Sequence, residues 1–329
     1  MNYSHININY KKIKPVFVVL ILCFLVCCTE NKEELIVLGF EKDMIPEGIA
    51  VDKSTNNVFL NSLRHNKIVK CKLDGSDPQN FIESNQYGYL GGFGMTIKGD
   101  TLYALGNSFT VKNNRSILIL LNKKSGELID SYHLNDTSFI YLNDIAISSN
   151  NDIYITDSES NKIYTINRSK GELEIFLEDD QITYSNGISI SDDDRYLYLA
   201  SYYNGIRVVD LNTKKILNKA NQDYGRIDGM KYYNNSLIGI ANGRDENGER
   251  LKSKSGVYRY YLNKERNSII KKEKIIPYED YFESPTTFEI VDDYIYFIVN
   301  SQLPNLSDDG TQIINPEKLQ SYLLMKKKI

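Results

Sequence analysis

The chain has 329 residues, 41% apolar and 25% charged, which suits one large or two medium globular domains and excludes disorder and fibrous assemblies. Its 39 Lys and Arg against 43 Asp and Glu leave a net charge of −4, with no basic surplus to neutralise a phosphate backbone. Nucleic acid is therefore not an expected partner.

The N-terminus reads as an address. Three lysines (Lys11, Lys12, Lys14) precede an apolar run from Pro15 to Val26, which meets Cys27 and Cys28 and then the polar stretch Thr29 to Glu34. The run is too short for a comfortable membrane span and has the layout of a signal peptide. Leu25-Val26-Cys27-Cys28 resembles a bacterial lipobox, in which a cysteine after a small residue is lipidated and becomes the new N-terminus. That resemblance implies lipidation of Cys28, although Cys27 stands where Gly, Ala or Ser is usual. A plain secretory signal or membrane anchor is the alternative. The expected organisation is a signal peptide over 1–28, a tether over 29–33 and a folded domain over 34–329. Asn31-Lys-Glu-Glu34 also resembles an acidic signal that directs lipoproteins of one bacterial phylum to the cell surface. The expected place is the bacterial cell envelope, lipid-anchored, periplasmic or surface-exposed. Loss of the three lysines takes the net charge from −4 to −7, a soluble acidic body expected to be monomeric.

Beyond the leader one pattern recurs six times: Gly48-Ile-Ala-Val51, Gly94-Met-Thr-Ile97, Asp144-Ile-Ala-Ile147, Gly187-Ile-Ser-Ile190, Gly229-Met-Lys-Tyr232 and Thr287-Phe-Glu-Ile290. The spacings of 46, 50, 43, 42 and 58 residues fit four-stranded blades. Each pattern is followed by a polar turn and a second strand, as in Ser148 to Asp152 before Ile153-Tyr-Ile, and then by a third strand such as Lys162 to Ile166. The expected fold is all-β, a six-bladed β-propeller. The last repeat lacks a fourth strand, and the apolar run Glu34 to Phe40 before the first repeat can supply it and close the ring. A β-sandwich pair or a seven-bladed ring is the competing architecture.

In a propeller the first strand of each blade lies nearest the axis, so the residues just before the six patterns are neighbours: Glu47, Phe93, Asn143, Asn186, Asp228 and Thr286. Two carboxylates and two amides then converge from four blades, while the only histidines are His5, His65 and His133. A zinc site of two or three histidines cannot be built from the body, and an all-oxygen set suits Ca2+ better than Mg2+, which keeps more of its water. The alternative is a polar ring that bonds only to itself and to buried water. Of the four cysteines only Cys71 lies in the body, which excludes a disulfide framework.

The segments Pro46 to Asp52, Leu142 to Ile147, Ser185 to Asp192 and Ile227 to Met230 resemble the four metal-binding segments of the regucalcin/gluconolactonase family, which belongs with the paraoxonases and diisopropyl fluorophosphatases among calcium-dependent six-bladed propellers. The resemblance runs from about residue 34 to the end. It implies one Ca2+ at the central tunnel held by Glu47, Asn143, Asn186 and Asp228, and hydrolysis of a lactone or small ester with Asp228 as base or nucleophile. The histidine pair of paraoxonases is not matched, and Gly91-Gly92-Phe93 stands where the family tends to place polar substrate contacts. Loops between second and third strands should rim the pocket and offer Arg64, His65, Asn107, Tyr202, Asn242 and Arg244 to a small-molecule substrate, along with Asp157 and Asn300. For His65 the plainer reading is an exposed loop residue, and for the arginines a solvated surface. His133 reads as structural on an outer strand, and Asp192 to Asp194 as a solvated turn. The insertion Gly243 to Lys254 reads as a lid or contact surface. A second reading of function is a non-catalytic, NHL-like propeller that binds a ligand or protein and uses calcium only to stiffen the ring.

Overall fold

The computed structural model describes Met1 and residues 33–112, 114–135 and 138–329; the signal-peptide region with Cys28, and residues 29–32 of the tether, lie outside the described residues. The body, Glu33–Ile329, is one unit. Apolar residues at alternate strand positions, bounded by polar turns, produce six antiparallel four-stranded sheets and no α-helix among the described residues. The innermost strands are Ile49–Asp52, Gly91–Lys98, Leu142–Ile147, Ser185–Ile190, Ile227–Tyr232 and Phe288–Val291. Each touches the next, and the sixth touches the first, so they form a closed ring around an axis. The architecture is the six-bladed β-propeller that the repeats predict.

Closure follows the expected route. The sixth sheet runs Phe288–Val291, Tyr294–Ile298, Tyr322–Lys328 and finally Glu34–Leu38, which pairs antiparallel with Tyr322–Lys328. Leu38 is fully buried there while Val37 faces solvent. This borrowed strand makes the sheet complete only when both ends of the body meet, and it removes two open edges.

Four of the six innermost strands carry the same irregularity. In each, two residues oppose one on the second strand: Phe93 and Gly94, Asn143 and Asp144, Asn186 and Gly187, Asp228 and Gly229. These are β-bulges, which bend the strand and re-aim one side chain. The recurrent glycine has a second cause. A Cβ on Gly48 would lie 2.0 Å from the Phe93 carbonyl oxygen, and one on Gly187 would lie 2.3 Å from that of Asp228. The missing side chain in one blade thus admits the backbone of the next, and the ring can tighten to the diameter of its side chains.

Candidate metal centre

The bulges fix what faces the axis. Asn186 Nδ2 donates to Asp228 Oδ1 at 2.9 Å. A carboxylate only accepts, so the amide nitrogen must face it and Asn186 Oδ1 is left pointing elsewhere. That oxygen, Asn143 Oδ1 and Glu47 Oε2 are all buried with no hydrogen-bond partner. Glu47 and Asn143 are buried as residues, whereas Asn186 and Asp228 keep part of their surface at the mouth. The ring positions without a ligand oxygen are filled otherwise. Phe93 packs at 5.2 Å from the Tyr141 ring and 6.2 Å from Phe109, an apolar wall. Thr286 and Thr287 hydroxyls both donate to the Glu47 carbonyl at 2.8 Å and lock the sixth blade to the first.

The electrostatics follow from this convergence. Burial, followed by the nearby Asp228 charge, holds the Glu47 carboxyl well above the usual range, against a smaller opposing bond from Thr286. Burial likewise pushes Asp228 up, opposed by its bonds from Asn186 and Asn242 and furthered by Asp144. Asp144 is a third carboxyl that the sequence reading used only as a strand marker. Its Oδ2 accepts from the Ile188 amide at 3.2 Å and its Oδ1 from the Ile145 amide at 2.9 Å. Further along the tunnel, Lys231 and Glu289 line a cavity of about 200 Å3 with Thr96, Ala146 and Ser189. Burial pulls the Lys231 ammonium down, yet Asp144 and Glu289 together hold it above its ordinary value. One part of the tunnel therefore carries its own cation, while the mouth has oxygens without one. The donor set of two carboxylates and two amide oxygens fits a hard divalent ion. No group of three or more His, Cys, Asp or Glu placed to hold a metal ion occurs among the described residues, so amide oxygens would have to complete a site.

The residues expected on the rim divide. Tyr202 lines a pocket of about 260 Å3 with Tyr184, Tyr203, Ser158 and Asn186, so this pocket adjoins a cage residue. Asn242 faces the cage itself: Nδ2 donates to Asp228 Oδ2 at 3.1 Å, while Oδ1 accepts from Arg250 Nη1 at 2.6 Å. Arg250 also donates to Ser284 Oγ at 3.0 Å, so the insertion reaches back to brace Asp228 rather than only covering the mouth. Asn107, expected to face substrate, is fully buried; it donates to the Leu142 carbonyl at 2.9 Å and accepts from the Leu142 amide at 2.9 Å and Ser116 Oγ at 2.7 Å. It clasps the residue before Asn143. Asp157 is also fully buried, and accepts from Ser160 and from the amides of Tyr141 and Glu159. Arg64 donates to Asp43, whose other oxygen lies 3.2 Å from His65 Nε2, so both are partly exposed but already paired. Arg244 is exposed and donates to the Gly248 carbonyl at 2.7 Å.

Two residues before a ring position, the backbone repeatedly turns left-handed: Ile45 (φ 51°), Tyr184 (φ 53°), Arg226 (φ 56°) and Ser284 (φ 50°). Such values are uncommon for non-glycine residues, and here they recur at the same place before four ring positions.

A family profile described as SMP-30/Gluconolactonase/LRE-like region matches residues 45–241, more than half of the chain and all four cage residues. The chain belongs to this family. No curated protein matches at the sequence level. Among solved structures, a gluconolactonase from Xanthomonas campestris is similar at 12% identity over 90% of each chain, TM-score 0.59. The calcium-binding protein regucalcin from Agrobacterium tumefaciens is similar at 15% identity over 91% of this chain and 92% of its own, TM-score 0.55. The PQQ-bound form of an aldose sugar dehydrogenase from Streptomyces coelicolor reaches TM-score 0.60 at 13% identity, covering 91% and 99%. At such identities the likeness establishes the fold, and the chemistry must be argued from the site.

A carboxyl whose proton affinity is raised by folding costs no stability when protonated and costs most when ionised. Metal-free protein should therefore lose stability as pH rises from the ordinary carboxylate range of about 4 toward neutrality and beyond. Metal-free Glu47→Gln, which cannot ionise there, is expected to melt above metal-free wild type at about pH 8, with the gap closing toward about pH 4. Thermal unfolding of the two proteins across that range measures it, and identical curves would contradict a buried, unpaired Glu47 carboxylate.

Proposed function

We propose that the protein is a calcium-dependent hydrolase of a lactone or small ester, anchored by a lipid on Cys28 to the bacterial cell envelope. The observation that carries this reading is the set of three buried, partnerless oxygens, on Glu47, Asn143 and Asn186, beside the Asp228 carboxylate. Glu47, Asn143, Asn186 and Asp228 would hold the ion. When bound, calcium supplies positive charge that polarises a substrate carbonyl and offsets the developing oxyanion.

The chain's own groups account for the rest. Asp228 is held from two sides, by Asn186 and by Asn242, and Asn242 is in turn fixed by Arg250. A carboxylate so placed accepts the proton of a water as its oxygen adds to the carbonyl carbon, and returns it to the ring oxygen as the C–O bond opens. The desolvated surroundings of Asp228 favour proton uptake, while a bound cation opposes it; the bonds from Asn186 and Asn242 keep the carboxylate aimed in both states. The pocket of Tyr184, Tyr202 and Tyr203 beside Asn186 offers flat apolar faces with hydroxyl edges, which suits a small ring carrying hydroxyl groups. Phe93, packed against Tyr141 and Phe109, makes its side of the mouth apolar.

A panel of sugar lactones and short esters, assayed with calcium and with chelator, tests the activity. Wild type is expected to turn over at least one substrate only with calcium, and Asp228→Asn to lose about a hundredfold or more with the fold retained. A folded, calcium-loaded wild type inactive on the whole panel would favour the non-catalytic, NHL-like reading. Fractionation tests the anchor: Cys28→Ser should move the protein from membranes to the soluble fraction, and an unchanged distribution would refute lipidation at Cys28.

A further inference from the structure

Beside the mouth, on the side of the fifth blade, a cleft of about 420 Å3 is lined by Arg226, Arg244, Lys254 and Lys272. The only acid on its wall is Asp223. Ion pairs in the described body are made by other lysines and arginines, and none of these four takes part in one. What bonds they make go to neutral groups. Arg226 lies 4.8 Å over the Tyr202 ring and donates to its hydroxyl. Arg244 donates to the Gly248 carbonyl, and Lys272 donates to the Asp223 carbonyl at 2.8 Å while lying 4.3 Å from the Tyr258 ring centre. Lys254 is exposed at the edge.

Four like charges in one cleft repel, and in a chain of net charge −4 many carboxylates are available that could have been placed among them. Burial chiefly pulls the Lys272 ammonium below its ordinary value; the Asp223 charge opposes this, and Lys274 and Lys254 add smaller lowering effects. Guanidinium groups grip planar oxyanions through paired N–H bonds, and ammonium groups add point charge. Tyr224 and Tyr258, the latter with Lys272 over its ring, also line the cleft.

We propose that this cleft binds a small molecule through a carboxylate or phosphate group, at a site separate from the metal cage. Arg226 lies two residues from Asp228 and Arg244 two residues from Asn242. The anion is thus held at the border of the mouth, with Arg226 and Tyr202 forming the partition between this cleft and the tyrosine pocket. The site does not depend on the metal, and its failure would leave the hydrolase reading untouched.

Calorimetric titration of the body, Glu33–Ile329, which closes its own ring, tests the site after divalent ions are stripped on a chelating resin. The probes are inorganic phosphate, galacturonate and, as the neutral counterpart of the latter, galactose. Phosphate or galacturonate is expected to bind and galactose not. Arg244→Ala with Lys254→Ala, both exposed positions, should weaken the bound anion at least about tenfold without shifting the melting temperature. High salt should weaken it as well. Glu47→Gln, which disrupts the cage, should leave it unchanged. Preference for galacturonate assigns the cleft to a carboxylate and preference for phosphate to a phosphorylated ligand, and either supports the proposal. No binding of either anion, equal binding of galactose, or undiminished affinity in the double variant overturns it.

Discussion

Six strands can approach a common axis only where side chains leave room, and the molecule meets this constraint with a glycine at four of the six pattern starts and a bulge in four of the six innermost strands. At Gly48 and Gly187 the carbonyl of the neighbouring blade fills the space that a Cβ would occupy. In the third, fourth and fifth blades the bulge turns the residue just before the pattern toward the axis, which brings in Asn143, Asn186 and Asp228, while Glu47 precedes an innermost strand with no such bulge. For those three residues fold and site share one cause.

The axis is then a column of charge. Asp144 and Glu289 are answered by Lys231 in the tunnel, whereas Glu47 and Asp228 at the mouth have no protein cation against them apart from the more distant Arg250. Buried like charges repel unless something positive lies between them or a proton neutralises one. The cation proposed for this site would meet the amide oxygens of Asn143 and Asn186 as well as the carboxylates, whereas a proton on Glu47 would leave the amides unsatisfied. The mouth around the cage divides into an apolar wall at Phe93, a tyrosine pocket next to Asn186, and a basic cleft beyond Arg226.

The ring, its six blades and the strand that closes it were legible because each rests on a repeated local rule: alternation for strands, a small residue for close approach, and a missing fourth strand matched by a spare one. That Asn186 and Asp228 meet near the axis was legible for the same reason. What could not be read is where a polar side chain at a strand end points. Asn107 turns inward to clasp Leu142, and Asp157 turns back to fasten its own loop. The pairing of Arg64 and His65 with Asp43 depends on a loop that precedes the first blade, beyond any local pattern. Arg250 lies in an insertion read as a lid, and only the folded chain brings it to Asn242. Lys231 and Glu289 did leave a signal: they occupy the tunnel-facing register that Ala50, Thr96, Ala146 and Ser189 fill in the other blades.

If the oxygens at the mouth form a single cation site, calorimetric titration of metal-stripped body with calcium should saturate at one ion per chain, with affinity lost when Asn143 or Asn186 is replaced by Ala although neither variant changes the charge. Absence of a saturable heat in wild type, or binding undisturbed by both alanine variants, would contradict it.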